Sequence, residues 1–519
     1  MRQRPGRSRL AVAAAMAMLL IATTAPAALG DDISESKGFR KAVTLAGIRA
    51  HQAALQEIAD ENGGTRVAGT PGYDESAQYV FDAAEAAGYD VSFQEFQFEL
   101  VSDVTPPEFA QISPNPVTYV DGVDYATMSY SGSGDFTASV SLPSGDNRGC
   151  VAADWAGFPA GNIALVMRGT PAGFPVACTF RLKADNAVAA GASAVLVYNN
   201  VPGLLNGTLG PPRYSTSVLG LTQALGQQLT ALVPGGLVVH VETNTTAEIR
   251  NTRNVIAETP GGDAENVVVV GAHLDSVSRG PGINDNGSGS GAILEVAEQY
   301  AAQGRTPRNK LRFIWFGAEE QSLLGSNFYV ANLDADERND IMAMLNFDMI
   351  GSPNYARFVY DGDGSATTPA GPPGSGFIEK VFVDYFNSQG LASEPTQFSG
   401  RSDYGPFIMV GIPAGGLFTG AEVPKTAGQV ALYGGTAGVP YDPCYHLACD
   451  TFTGTGSGAG ATSPGLGLKA LDEMSDAVAH AVLFMSKSKV NLAATAPAAL
   501  RTSGAPARPD FSSDEHVSH

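Results

Sequence analysis

Positive charge is scarce in this chain. Thirty-one lysines and arginines stand against 52 aspartates and glutamates, a formal net charge of −21. A surface so acidic repels phosphate backbones and anionic headgroups, which argues against nucleic acid and charged membrane as partners. Solubility is the plain use of such charge. The apolar run near the N-terminus, Leu10 to Ala22, is much shorter than the about 20 residues of a membrane span, so no stable insertion is expected. It follows Arg2, Arg4, Arg7 and Arg9 and precedes the small-residue stretch Ala25 to Gly30, which marks residues 1–30 as a secretory signal peptide and predicts an extracellular protein. Its removal takes away four arginines and no acid, moving the charge to −25. Cysteine is also sparse. Cys150, Cys178, Cys444 and Cys449 make an even number in an exported chain, which favours disulfides over free thiols. Cys444 and Cys449 are close enough to close a tight loop, leaving Cys150 to pair with Cys178.

At 519 residues and 44% hydrophobic, the chain has material for two or three domains. Helical spacing runs from Lys37 to about Asn62 and, after the turn Gly69 to Gly72, from Tyr73 to Ala87. Tyr89 to Leu100 alternates as a strand does. Between Val104 and Thr246 the texture becomes short β-rich runs separated by Gly and Pro. Beyond it, Val267 to Val270 reads as a strand apolar on both faces. Strands at Leu311 to Phe316, Met342 to Phe347 and Arg357 to Tyr360 then alternate with helical stretches, ending in a helix from Leu466 to Phe484. That alternation predicts an α/β fold with a mainly parallel, helix-flanked sheet. The expected parts are residues 31–103 and 247–490 as one domain, 104–246 as an insertion, and 491–519 as a disordered or processed tail rich in Ala, Pro, Ser and Thr.

The chemistry gathers at strand ends. The valine strand runs into His273 and Asp275, and Asp285 follows in a Gly-rich loop. The next strand leads to Glu319 and Glu320, a third delivers Asp348, and His446 lies between two cysteines whose disulfide would hold it rigidly. Loops at the carboxyl ends of parallel strands form the crevice where ligands bind. Two imidazoles and three carboxylates suit two divalent ions, zinc favoured, with one carboxylate bridging. One acid of the Glu319–Glu320 pair is then free to move protons. Any one of these residues alone reads as a turn, a cap or a structural histidine. Asp361 and Asp363 stay in that class, as does Asp275 as a ligand.

The ordered series GAHLDSV, GINDNGSGSGAILEVAE, FIWFGAEEQSLLGS, NFDMIG, GRSDYGPF, GLFTGAE and PCYHLACDT resembles the secreted two-zinc aminopeptidases of the M28 type, near the bacterial leucine-preferring enzymes. The resemblance covers about residues 37–100 and 251–484. It implies the zinc exopeptidase (phosphorylase/hydrolase-like) fold, with His273 and Asp348 on one zinc, Glu320 and His446 on the other, and Asp285 bridging. Glu319 matches the general base, Tyr445 a donor to the oxyanion, and Asp275 an acid that orients His273. Arg401 matches a residue beside the substrate and Phe418 one lining an apolar pocket. A cis bond between Asp285 and Asn286 is implied as well. The stretch GNIALVMRG followed by CTFRLKADNAVAAGASAVLVYNN is similar to a protease-associated (PA) domain. The chain departs from the M28 pattern in the Gly/Thr/Ser linker Thr451 to Pro464, and a calcium site found in some relatives has no clear place here. The activity implied is removal of apolar N-terminal residues, leucine among them, from peptides and proteins with a free N-terminus, by a monomer. A carboxypeptidase or aminoacyl cyclase on the same fold is an alternative, as is a receptor-like binding protein. The receptor reading fits poorly with a full ligand set.

Overall fold

The computed structural model describes residues 29–171, 174, 178–454, 466–490 and 492. All but the last two residues of the expected signal peptide, all but Leu492 of the expected tail, and most of the Thr451 to Pro464 linker lie outside them. Among the described residues no helix is long and apolar enough to cross a membrane.

The sheet is built outward from the strand Asp263–His273. On one side lies Asn309–Phe316, on the other Ile341–Phe347 and then Ala414–Phe418, all parallel. Val267 and Val269 feed one apolar cluster with Ile314 and Phe316, while Val268 and Val270 feed a second with Leu311, Phe313 and Trp315. A strand covered on both faces has no use for alternation, which is why four valines stand in a row. The flanks are antiparallel: Val238–Glu258 beside Asn309–Phe316, and Phe358–Tyr360 beside Ala414–Phe418. The sheet is therefore mixed, parallel where the candidate residues emerge.

Element limits shift for physical reasons. The expected first helix is two, Leu29–Arg40 and Leu45–Glu61, because Thr44 is extended and its hydroxyl accepts the Gly47 N–H at 3.0 Å, capping a new helix. The strand expected to stop at Leu100 continues through Asp90–Ser113, paired with Val238–Glu258 from Asp90 opposite Glu258 to Ser113 opposite Val238. The expected boundaries of the insertion thus fall inside one continuous ribbon. Its register slips between Asp103 and Glu108, where Pro106 and Pro107 carry no N–H to donate. Beyond the slip the ribbon joins the strands Gly134–Ser141, Ile163–Met167, Val195–Tyr198 and Val218–Leu221. Helices Phe180–Ala189 and Gln223–Leu232 pack on these strands, whose apolar clusters are separate from those of the main sheet. Cys150 is bonded to Cys178 there, and Cys444 to Cys449 in the main domain.

Candidate active site

The parallel registers bring three carboxyl ends level. Phe316 lies opposite His273 and Asn346 opposite Gly271, so Glu319, Glu320 and Asp348 leave the sheet at the height of His273. Three non-glycine residues beside candidate groups, or among them, take the left-handed conformation: Ala318, Met349 and His446, with φ of 58°, 53° and 58°. Strain of this kind persists where surroundings over-determine it, and it clusters at functional sites. The Asp285–Asn286 peptide is cis.

Asp285 sits between the imidazoles. Its Oδ1 is 3.2 Å from Nε2 of His273 and its Oδ2 is 3.2 Å from Nε2 of His446. Asp348 Oδ1 lies 3.3 Å from the same His273 nitrogen, and Glu320 Oε2 3.1 Å from the His446 nitrogen. Glu319 reaches the His273 and Asp348 side of the cluster. In tetrahedral zinc coordination, bonds of about 2.0–2.1 Å place ligand atoms about 3.3 Å apart. Glu320 Oε1 and Asp348 Oδ1 are buried without a hydrogen-bond partner. The donor set, its spacing and those orphaned oxygens fit a pair of divalent ions. His446 is 21% exposed and Asp348 13%, against 1% for His273, so the cluster opens to solvent on the first two.

Burial pushes the Glu319 carboxyl well above its usual range. His273 opposes this, while Glu320, Asp348 and Asp403 add to it. Burial also raises Glu320. At His446 burial lowers the pKa, but Glu320 and Asp285 prevail and lift it to about 10. Asp285 moves down despite burial, drawn by both imidazoles. Several acids crowded about two imidazoles call for added positive charge.

Asp275 does more than the resemblance implies. Its Oδ1 is 3.6 Å from Nδ1 of His273, and its two oxygens also accept the backbone N–H groups of Glu319 (3.1 Å) and Glu320 (3.2 Å). One carboxylate thus locks two strand ends together. The Tyr445 ring stacks on His446 at 3.8 Å. Burial raises its phenol well above 10 while Arg401 pulls it down. Arg401 donates to the Tyr445 oxygen at 3.0 Å and to Glu422 at 2.8 Å. Phe418 is half-buried and stacks on Phe358 at 6.0 Å, beyond the strand carrying Asp348.

Four residues of the site were not singled out from sequence. Asp450 accepts the backbone N–H groups of Asn284 (2.7 Å) and Asp285 (2.9 Å). Asp442 accepts the Asn284 amide at 2.6 Å and the Cys444 N–H at 2.8 Å. Together they tie the Asp285 loop to the disulfide loop that carries His446. Their signal is position, just outside the cysteine pair in YDPCYHLACD. Ser402 donates to Asp348 Oδ2 at 2.6 Å. Asp403 is buried beside the cluster and lifted to about 7, chiefly by burial. Both lie in the GRSDY stretch, beside Arg401. Arg279, on the loop before Asp285, turns away and pairs with Asp121 of the insertion at 3.0 Å.

Residues 254–480 match Peptidase family M28, and residues 136–229 match the PA domain. An aminopeptidase of Pseudomonas aeruginosa is 42% identical over 468 residues, covering 88% of this chain and 83% of that protein. A probable leucine aminopeptidase 2 of Trichophyton verrucosum is 45% identical over 415 residues, covering 79% and 80%. Among solved structures, an aminopeptidase from Aneurinibacillus superposes with a TM-score of 0.67 at 27% identity, covering 88% of this chain and 97% of that one. With this likeness spanning both the strand-end cluster and the sheet that presents it, the chain belongs to peptidase family M28 and carries a PA domain.

Proposed function

We propose that this M28 aminopeptidase is a secreted monomer that uses two zinc ions to release apolar N-terminal residues, leucine among the best, from peptides and proteins. Asp285 carries the reading: each of its oxygens faces a different imidazole, as a bridge between two ions requires. His273 and Asp348 would complete one zinc, Glu320 and His446 the other. Zinc held there would supply Lewis acidity toward the scissile carbonyl and a nucleophilic water at neutral pH. Glu319 would take a proton from the attacking water and pass it to the leaving amine. Arg401 donates to the Tyr445 oxygen, which leaves the phenolic O–H free to donate to the developing oxyanion. Phe418 would line the apolar pocket.

Charge separates this from carboxypeptidase action. Binding a terminal carboxylate needs guanidinium groups at the cleft. Arg401 is engaged by Glu422 and Tyr445, and Arg279 by Asp121. A free ammonium needs an acceptor, and Glu319 offers one. Asp348 has less to spare, since Ser402 occupies Oδ2. The insertion, proposed as residues 104–246, would govern access. Its Thr208 meets Ser322 at 2.9 Å and its Tyr130 meets Gln321 at 3.3 Å, both beside the Glu319–Glu320 turn. Export is supported by the leader-like N-terminus and two disulfides.

The test compares leucine p-nitroanilide, its N-acetylated form and a peptide blocked only at its C-terminus. Cleavage of the first and third is expected. Activity on the acetylated substrate without the C-blocked peptide would reverse the assignment. Elemental analysis of active protein should give at least two zinc ions per chain, and a value near zero or one would exclude the two-ion mechanism.

A further inference from the structure

We propose that His51, Glu295 and Glu298 form a metal site separate from the strand-end cluster, taking a divalent first-row ion such as zinc. The ion would clamp the helix Leu45–Glu61 to the helix Gly287–Ala302. Glu295 and Glu298 are three residues apart and so share one face of their helix. His51 projects from the other helix, 7% exposed. Its Nε2 is 3.5 Å from Glu298 Oε2 and 3.9 Å from Glu295 Oε2, and it makes no hydrogen bond. Among the described residues the ion pairs of both glutamates are with His51 alone.

The other ring nitrogen is already engaged: Nδ1 lies 2.7 Å from the Tyr79 hydroxyl. That is the usual arrangement of a metal-bound imidazole, where a partner on one nitrogen fixes the ring and aims the other at the ion. Burial, then the Glu298 charge, push the Tyr79 phenol up to about 12, so it stays a neutral partner. If Nδ1 holds the ring proton, the Nε2 lone pair faces two carboxylates, an arrangement that repels unless a cation lies between. Gly47 makes room for the cluster, since a Cβ there would meet the Glu295 carboxylate at 2.3–2.4 Å. Glu295 Oε1 uses that room to accept the Thr44 N–H at 3.1 Å, which fixes the carboxylate. The Glu298 side chain, 33% exposed, gives the ion its way in.

One nitrogen and two carboxylates suit zinc or its neighbours better than calcium, which takes six to eight oxygens. Against the about 3.3 Å of a zinc tetrahedron, Glu298 is about 0.2 Å and Glu295 about 0.6 Å too far from Nε2; the one-third-exposed Glu298 chain can close the first gap, and a turn of the His51 ring toward Glu295 the second. Glu295 and Glu298 lie ten and thirteen residues beyond Asp285. At 1.5 Å per residue this puts the site about 15–20 Å from the strand-end cluster along the helix. The ion would therefore stiffen the helix that Asp285 leads into without touching substrate.

The test loads full-length protein with Zn²⁺, removes excess, and measures bound metal by mass spectrometry in the wild type, His51→Gln, Glu298→Gln and Glu320→Gln. His51→Gln and Glu298→Gln should each hold one ion fewer than the wild type with turnover of leucine p-nitroanilide unchanged, whereas Glu320→Gln loses metal and turnover together. The difference between variant and wild type does not depend on how many ions the strand-end cluster holds. Anomalous diffraction at the zinc edge should place a peak among His51 Nε2, Glu295 and Glu298. Equal metal content in wild type and Glu298→Gln, with no anomalous peak at His51 under saturating Zn²⁺, would overturn the proposal and leave His51 as a buried histidine beside two acids. Glu298 is one-third exposed, so its variant carries the test even if His51→Gln fails to fold.

Discussion

Glu319 and Glu320 are adjacent in sequence and share Asp275 as the acceptor of their backbone N–H groups, yet their side chains part. Glu320 reaches the His446 nitrogen, while Glu319 lies toward His273 and Asp348. Glu319→Gln should keep metal and lose about 10²–10⁴ in turnover, the usual worth of a general acid–base group. Glu320→Gln should lose metal instead. Turnover and metal content measured on the same samples separate the two, and a Glu319→Gln enzyme of normal turnover would remove Glu319 from the mechanism. A second residue-scale outcome concerns acid. His480 is buried, its Nδ1 is 2.9 Å from the Ser36 hydroxyl, and burial followed by the Arg40 charge holds it down to about 4. Unfolded histidine titrates near 6.5, so between these values the unfolded chain binds the extra proton. Stability from this group is full above about pH 6.5 and drains as pH falls toward 4, by up to about 3 kcal/mol. His480→Gln, which retains a partner for Ser36, should flatten the fall in Tm over that window. An unchanged slope would mean that His480 charges freely in the folded state.

At the scale of elements, the helix Gly287–Ala302 shows what pattern reading misses. Its apolar spacing points to a start near Gly291, and glycine opposes helix by about 1 kcal/mol per residue. The helix nevertheless begins at Gly287, capped by the Asn286 side chain, which accepts the Gly289 N–H. Close packing explains the glycines: a Cβ at Gly289 would stand 2.1 Å from the Phe347 carbonyl oxygen. Gly289→Ala should therefore force the helix from the strand that delivers Asp348, lowering Tm and zinc affinity together. An alanine variant with wild-type metal content and Tm would show that the helix has room to move. The strands, their parallel centre and the residues at their ends were legible because a doubly covered strand must be apolar throughout and must stop where polar groups begin. The links that Asp442 and Asp450 make between loops were not. A buried carboxylate accepting N–H groups from a segment some 160 residues away leaves no period in the sequence, and neither does the turn of Arg279 toward Asp121.

Across the whole molecule, the insertion and the peptidase sheet share a ribbon but not a core. Between their apolar clusters the ribbon is exposed, from Ser102 to Pro106 on one strand and from Thr246 to Asn251 on the other, with Ile249 67% exposed. Little apolar contact passes through such a segment, so the two parts should melt as separate cooperative units. The Cys150–Cys178 bond lies wholly within the insertion and closes a separation of 28 residues. On the chain-entropy account, a loop of that length is worth about 3–4 kcal/mol. Replacing both cysteines by serine should then lower the melting of the insertion alone, by about 10 °C or more for a domain of this size. Calorimetry should show one transition moving and a second staying, with zinc content and turnover of leucine p-nitroanilide unaltered below the first. A single transition that shifts as a whole would mean that the ribbon couples the two cores after all. The contacts of Thr208, Tyr130 and Asp121 with the rim of the cleft would then be part of the stability of the peptidase domain, rather than a gate laid over it.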